Sequence, residues 1–221
     1  MSDELAFLDA TAQADLVQRR KVSPVELVDA AIARIERLDR ELNAVIIPLF
    51  EKARAQAASP ALPNGFFRGV PFLLKDIICH SAGDPYHAGM KLLRKLRWIE
   101  HEDTHLAAKF RAAGLVFLGR TNVPELGSQP TTEPEAYGPT RNPWDTGRST
   151  GGSSGGSASV GVSRRSNPAS HHEAIRRECD CSDSTARMYW RALHARPCSA
   201  TAQFMGSTSS GPSGRPVLSL Q

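Results

Sequence analysis

The 221-residue sequence contains no long hydrophobic run, and nowhere does it approach the roughly eighteen consecutive apolar residues that a membrane-spanning helix needs. The first ten residues, MSDELAFLDA, are acidic where a secretory leader is basic and then apolar, so the expected location is the cytoplasm. Cysteine is sparse: Cys79, Cys179, Cys181 and Cys198 show no framework spacing, which excludes a disulfide-stapled scaffold and leaves them as free thiols. One sign of charge is missing from one end. Residues 161–221 hold eight arginines, no lysine and four acidic residues, whereas the first 160 residues carry 19 basic and 19 acidic groups. The net charge of +4 is therefore a property of the tail, and a nucleic-acid partner for the body of the chain is not expected.

What is present is enough apolar material, 40% of residues, to build a real core. In residues 23–38, SPVELVDAAIARIERL, Ser23 is placed as N-cap, Pro24 opens the helix and Glu26 closes a capping box. Val25, Val28, Ile32, Ile35 and Leu38 share one face. Weaker helical patterns run from Ala10 to about Arg20 and through FEKARAQAAS. The period then changes: RGVPFLLKDII is an apolar run of strand length with Lys75 inside it. A helix through DTHLAAKFRAAG follows, capped by Asp103 or Thr104 and stopped at Gly114, and LVFLGRTN reads as a second strand. This alternation predicts an α/β fold with a mixed, largely parallel sheet flanked by helices. The segment from Gln129 to Asp145, with Pro130, Pro134, Pro139 and Pro143, reads as a long ordered loop.

Beyond Val160 the pattern stops. The expected organisation is one incomplete domain over residues 1–160 and an atypical, poorly structured tail over 161–221, with one weak helical patch near STARMYWRALHA. Cys179, Cys181, His194 and Cys198, with His171 and His172, lack the spacing of a zinc site, so no metal is expected. The arginine-rich tail keeps open a non-catalytic role in which it binds RNA or an acidic partner. His87, His101 and His105 read as exposed or capping residues, and Trp98 and Trp144 as partly buried ones.

The stretch RSTGGSSGGSA, residues 148–158, is either a flexible Gly/Ser linker or a shaped loop that holds a serine. GGSSG also fits the G-x-S-x-G elbow of a serine hydrolase, but that motif needs a strand directly before it, and a Pro/Thr/Arg loop is expected there. No lysine follows the glycines in phosphate-loop spacing. Lys75 weighs on the choice. A lysine in an apolar strand snorkels, pairs with a neighbour such as Asp76, or sits neutral with a lowered pKa, and a neutral lysine is a base able to act on a serine hydroxyl.

Three ordered blocks, GVPFLLKDI, AAGLVFLGRTNVPELG and YGPTRNPWDTGRSTGGSSGGSAS, resemble the amidase signature family over about residues 5–160. PYHAGM and TTEPEAYGPTRNPWDTGRSTGGSSGGSA are most similar to the branch that includes 6-aminohexanoate cyclic-dimer hydrolases, with the A subunit of glutamyl-tRNA amidotransferase as a more distant relative. The resemblance implies hydrolysis of a carbon–nitrogen amide bond in a small-molecule substrate by a serine, cis-serine, lysine triad, with no cofactor. Lys75 corresponds to the catalytic lysine and Ser153 to the cis-serine. Gly151, Gly152, Ser154, Gly155 and Gly156 form the supporting loop, which requires small residues. An amidotransferase-like role stays open, as does assembly into a homo-oligomer.

The family's nucleophile lies about two dozen residues beyond the cis-serine in a Gly-Gly-Ser-Ile-Arg type motif, and that position here is Arg177, in EAIRRECD. Ser170, Ser182 and Ser184 lack the glycine frame, so no nucleophile is matched. The expected cause is a reading-frame shift or equivalent truncation near Val160. The expected consequence is a chain with little or no activity as written.

Overall fold

The structure, a computed structural model, describes residue 5 and residues 8–163. The expected helical patch of the tail, its cysteines and histidines, Arg177 and the serines around it lie outside the described residues.

Helix α1 (Ala10–Gln18) starts at Asp9, whose carboxylate accepts the Ala12 N–H at 2.8 Å. Helix α2 (Pro24–Leu42) carries the capping box read from the sequence: Ser23 Oγ accepts the Glu26 N–H, and the Glu26 carboxylate accepts the Ser23 N–H at 2.7 Å. It runs one turn beyond Leu38 and stops at Asn43, which takes the left-handed conformation at φ 50°. Strand β1 (Val45–Pro48) follows, an element too short to stand out in the sequence, and then helix α3 (Phe50–Ala58). Strand β2 (Pro71–Lys75) ends at Lys75, so the lysine terminates the apolar strand and does not interrupt it. After a short helix α4 (Lys91–Lys95), helix α5 (His105–Ala112) is capped by Thr104, and strand β3 (Val116–Thr121) completes the crossover.

These strands form a mixed three-stranded sheet in the order β1-β3-β2, with β2 parallel and β1 antiparallel to β3. Every residue of β3 is buried, as a central strand covered on both faces requires. Phe117 faces one side with Phe72, Leu74 and Phe110, a cluster closed by α1 and α5. Val116 and Leu118 face the other, against Val28, Ile32, Ala53 and Ala57 of α2 and α3. Burying each of the large side chains among them stabilises the fold by about 1.5–3 kcal/mol.

The segment expected to be a long loop is more structured than its prolines suggest. A 3-10 turn (Glu125–Gly127) leads into it, and strands β4 (Arg141–Asn142) and β5 (Asp145–Ser149) pair as an antiparallel hairpin at its end. The Gly/Ser stretch then opens helix α6 (Gly155–Ser163), which runs through Val160. Serine and glycine in that proportion form few helices alone, and tertiary packing overrides the propensity here.

Candidate active site

Strands β2 and β3 end together, with Lys75 in register with Thr121. Open α/β sheets present functional groups at such a carboxyl edge. Thr121 Oγ1 shares a 2.8 Å hydrogen bond with Ser157 Oγ, which fixes the first turn of α6 over the strand ends. The serines just before that turn are thereby brought to Lys75.

Lys75 Nζ lies 2.9 Å from Ser153 Oγ and 2.8 Å from Ser154 Oγ. Burial pushes the pKa of Lys75 below its ordinary 10.5. The Gly152–Ser153 peptide bond is cis. Asp76, the neighbour of the lysine in sequence, is fully buried on other partners, accepting the N–H groups of His87 at 3.1 Å and Gly89 at 3.4 Å beside the Arg120 guanidinium at 4.0 Å.

Four glycines frame the serines for different reasons. Gly151 has φ +73°, a conformation that side chains rarely adopt. Gly156 is excluded from substitution by contact, since a Cβ there would lie 2.4 Å from the Asn122 nitrogen and 2.6 Å from its carbonyl oxygen. Gly155 meets the Thr132 and Thr150 hydroxyls in the same way, and Gly152 the backbone of Thr131. Only Gly151 is a turning point; the expectation of a loop built from small residues throughout resolves into one turn and three close approaches.

Two polar residues with no place in the sequence-based expectations hold this loop. The fully buried Thr132 donates to the Gly151 carbonyl at 2.8 Å and accepts the Gly155 N–H at 3.0 Å. Asn122, also fully buried, accepts the Gly156 N–H on its carbonyl and donates through its side chain to Gly138 O and Thr140 Oγ1. Between them they satisfy the first two N–H groups of α6, which a helix start leaves without internal partners. Polar residues at a strand end and in a proline-rich loop carry little distinguishing signal in sequence; the doublet TT at 131–132 and the GRTN ending of β3 are the hints present.

Two further expectations are revised. A strand, β5, does precede the glycines, against the reading that only a loop stands there, but Ser153 bonds to a lysine, not to the histidine that an elbow mechanism requires. His87 is neither exposed nor a cap: it is buried, its Nδ1 against the Tyr137 hydroxyl, and burial lowers its pKa. His101 and His105 are exposed as expected, and Trp144 is partly buried, whereas Trp98 is 44% exposed and stands out from the surface. Among the described residues no group of three or more His, Cys, Asp or Glu could hold a metal ion, and no helix is long and apolar enough to cross a membrane.

This geometry has counterparts among known proteins. The amidase family model matches residues 26–171. The 6-aminohexanoate-cyclic-dimer hydrolase of Paenarthrobacter ureafaciens is 49% identical over 171 residues, which are 77% of this chain and 34% of that protein. The glutamyl-tRNA(Gln) amidotransferase A subunit of Nocardia farcinica is 39% identical over 175 residues, 75% of this chain and 34% of the relative. Among solved structures, 6-aminohexanoate cyclic dimer hydrolase complexed with substrate superposes with a TM-score of 0.68 at 48% identity, covering 72% of this chain and 32% of that one. A bacterial aryl acylamidase of the amidase signature enzymes gives a TM-score of 0.65 at 34% identity, over 70% of this chain and 33% of that one. The chain spans about a third of the length of the relatives it matches.

Proposed function

This chain belongs to the amidase signature family, and on that premise we propose that residues 1–160 carry the lysine and cis-serine half of an amide-hydrolysing site. Lys75 is the base and Ser153 the relay. Neutral Lys75 takes the Ser153 proton as Ser153 takes the proton of a nucleophilic serine, whose oxygen adds to the amide carbon. The carbon–nitrogen bond then breaks, the amine leaves with the proton returned through Ser153, and water releases the acyl group by the same relay. Ser154, on the same Nζ, holds the lysine toward the loop.

The observation that carries this reading is the pair of 2.9 and 2.8 Å contacts from a half-buried lysine amine to two serine hydroxyls. The substrate class is a small linear or cyclic amide. The 49% identity to a cyclic-dimer hydrolase, against 39% to an amidotransferase component, favours hydrolysis over amide transfer. The chemistry needs no metal or organic cofactor, and we place it in the cytoplasm.

No residue at the expected nucleophile position is a serine, since Arg177 stands there, so the chain as written does not form the acyl-enzyme. Incubation with 6-aminohexanoate cyclic dimer gives no hydrolysis above the buffer rate, and Lys75→Ala and Ser153→Ala leave that unchanged. A turnover that these substitutions abolish would overturn the inactivity. Rates of Lys75 acetylation against pH report its titration directly: the reading requires a midpoint below 10.5, and an ordinary lysine profile would remove the base.

A further inference from the structure

Beside the half-site, α2, the β2 edge and α6 enclose an apolar groove of ≈ 160 Å³. Ala31, Ile35 and Leu38 form its floor, with Leu73 of β2 and Val160 of α6 on its sides. Its volume is below the roughly 300–1,000 Å³ of ordinary small-molecule sites and suits one large side chain inserted as a knob. Strand β2 is an edge of the sheet, and among the described residues no strand pairs with its outer side. An apolar cleft beside an open strand edge is the surface that a further layer of the same fold covers.

We propose that this groove and the β2 edge form a docking surface for a separate polypeptide that supplies the remainder of an amidase domain, including its nucleophilic serine. Three observations select that occupant. The relatives superpose on this chain over about a third of their length, so the other two thirds of a homologous domain must pack outside the shared part. The groove is continuous with the candidate site through Thr121 and Ser157, which line the one and anchor the loop of the other. The half-site holds a base and a relay with no matched nucleophile, so a partner that docks here completes it. The hydrolysis expected of the complex rests on the function proposed above; the docking does not.

The test co-expresses the tagged 221-residue chain with the part of the Paenarthrobacter ureafaciens hydrolase that lies C-terminal to the shared region. The fragment is expected to co-purify in a 1:1 complex. Leu73→Asp and Val160→Asp, with unchanged circular dichroism, weaken it at least tenfold, and the amides of β2 gain exchange protection on binding. The complex hydrolyses 6-aminohexanoate cyclic dimer, and its Lys75→Ala variant assembles without hydrolysing. Failure to co-purify, co-purification indifferent to both groove substitutions, or a chain that alone forms a dimer broken by them would overturn the docking. A complex that assembles through the groove but hydrolyses nothing upholds the docking and counts instead against the roles of Lys75 and Ser153.

Discussion

Lys75 and Asp76 are adjacent in the chain and opposite in surroundings. The lysine ends β2 and meets two hydroxyls, while the aspartate turns inward to Arg120, itself fully buried and donating to Cys79 O at 3.0 Å and Ser81 Oγ at 3.1 Å. Burial raises the Asp76 pKa from 3.8 to about 6, the nearby N–H groups and Arg120 opposing the shift. The same burial lowers the Arg120 pKa. Because the folded pKa of Asp76 exceeds the unfolded one, the folded state holds the proton more firmly, and the associated stability is full below about pH 4 and lost as pH rises through about 6. Denaturant titrations should show wild type losing stability over that window relative to Asp76→Asn; a difference independent of pH would exclude the shift. Asp76→Ala should destabilise by about 3 kcal/mol or more at pH 7, since it removes two N–H acceptors and the carboxylate facing a buried guanidinium. Lys75 was legible in the sequence because a charge in an apolar run stands out. The Asp76–Arg120 pair was not, because its members lie far apart in the chain and only the pairing of β2 with β3 brings them together.

At the scale of elements, α6 shows which glycines packing dictates. Alanine exceeds glycine in helix propensity by about 1 kcal/mol, so a free helical glycine gains from substitution. Gly161 has nothing within 4 Å of a Cβ, and Gly161→Ala should stabilise by up to about 1 kcal/mol. Gly156→Ala places a methyl against the Asn122 backbone and should destabilise by about 2–3 kcal/mol despite the same propensity gain. Thermal melts of the two variants decide it, and equal shifts of one sign would mean that α6 is not seated on β3 as described. Helix α2 was readable in advance, because its cap, its proline and its stripe of apolar residues are local signals. Helix α6 was invisible for the converse reason: its composition is that of a linker, and only Asn122, Thr121 and Thr132, up to 36 residues away in sequence, make it a helix.

For the whole molecule, the alternation of strand and helix predicted the α/β class, and the quoted blocks predicted the family, because both are carried by contiguous residues. The mixed character of the sheet is set by β1, four residues that reach the ladder from the opposite direction. The groove likewise belongs to no single stretch of sequence, since α2, β2 and α6 each give it a few residues. Its apolar surface makes the chain prone to association at high concentration. Static light scattering against concentration should rise later for Leu73→Asp than for wild type, and identical curves would place the sticky surface elsewhere.

The contact of Lys75 with Ser153 spans 78 residues of sequence. A loop of that size is closed only after β2, the crossover through α5, β3 and the β4–β5 hairpin have found their places, because the entropy of ordering the chain is lost before the contact rewards it. On the ribosome, this contact is therefore among the last to form. Amine reactivity at Lys75 consequently serves as a clock: a nascent chain halted before Ser153 emerges carries an ordinary lysine, and the altered reactivity dates the moment when the body of the protein is assembled.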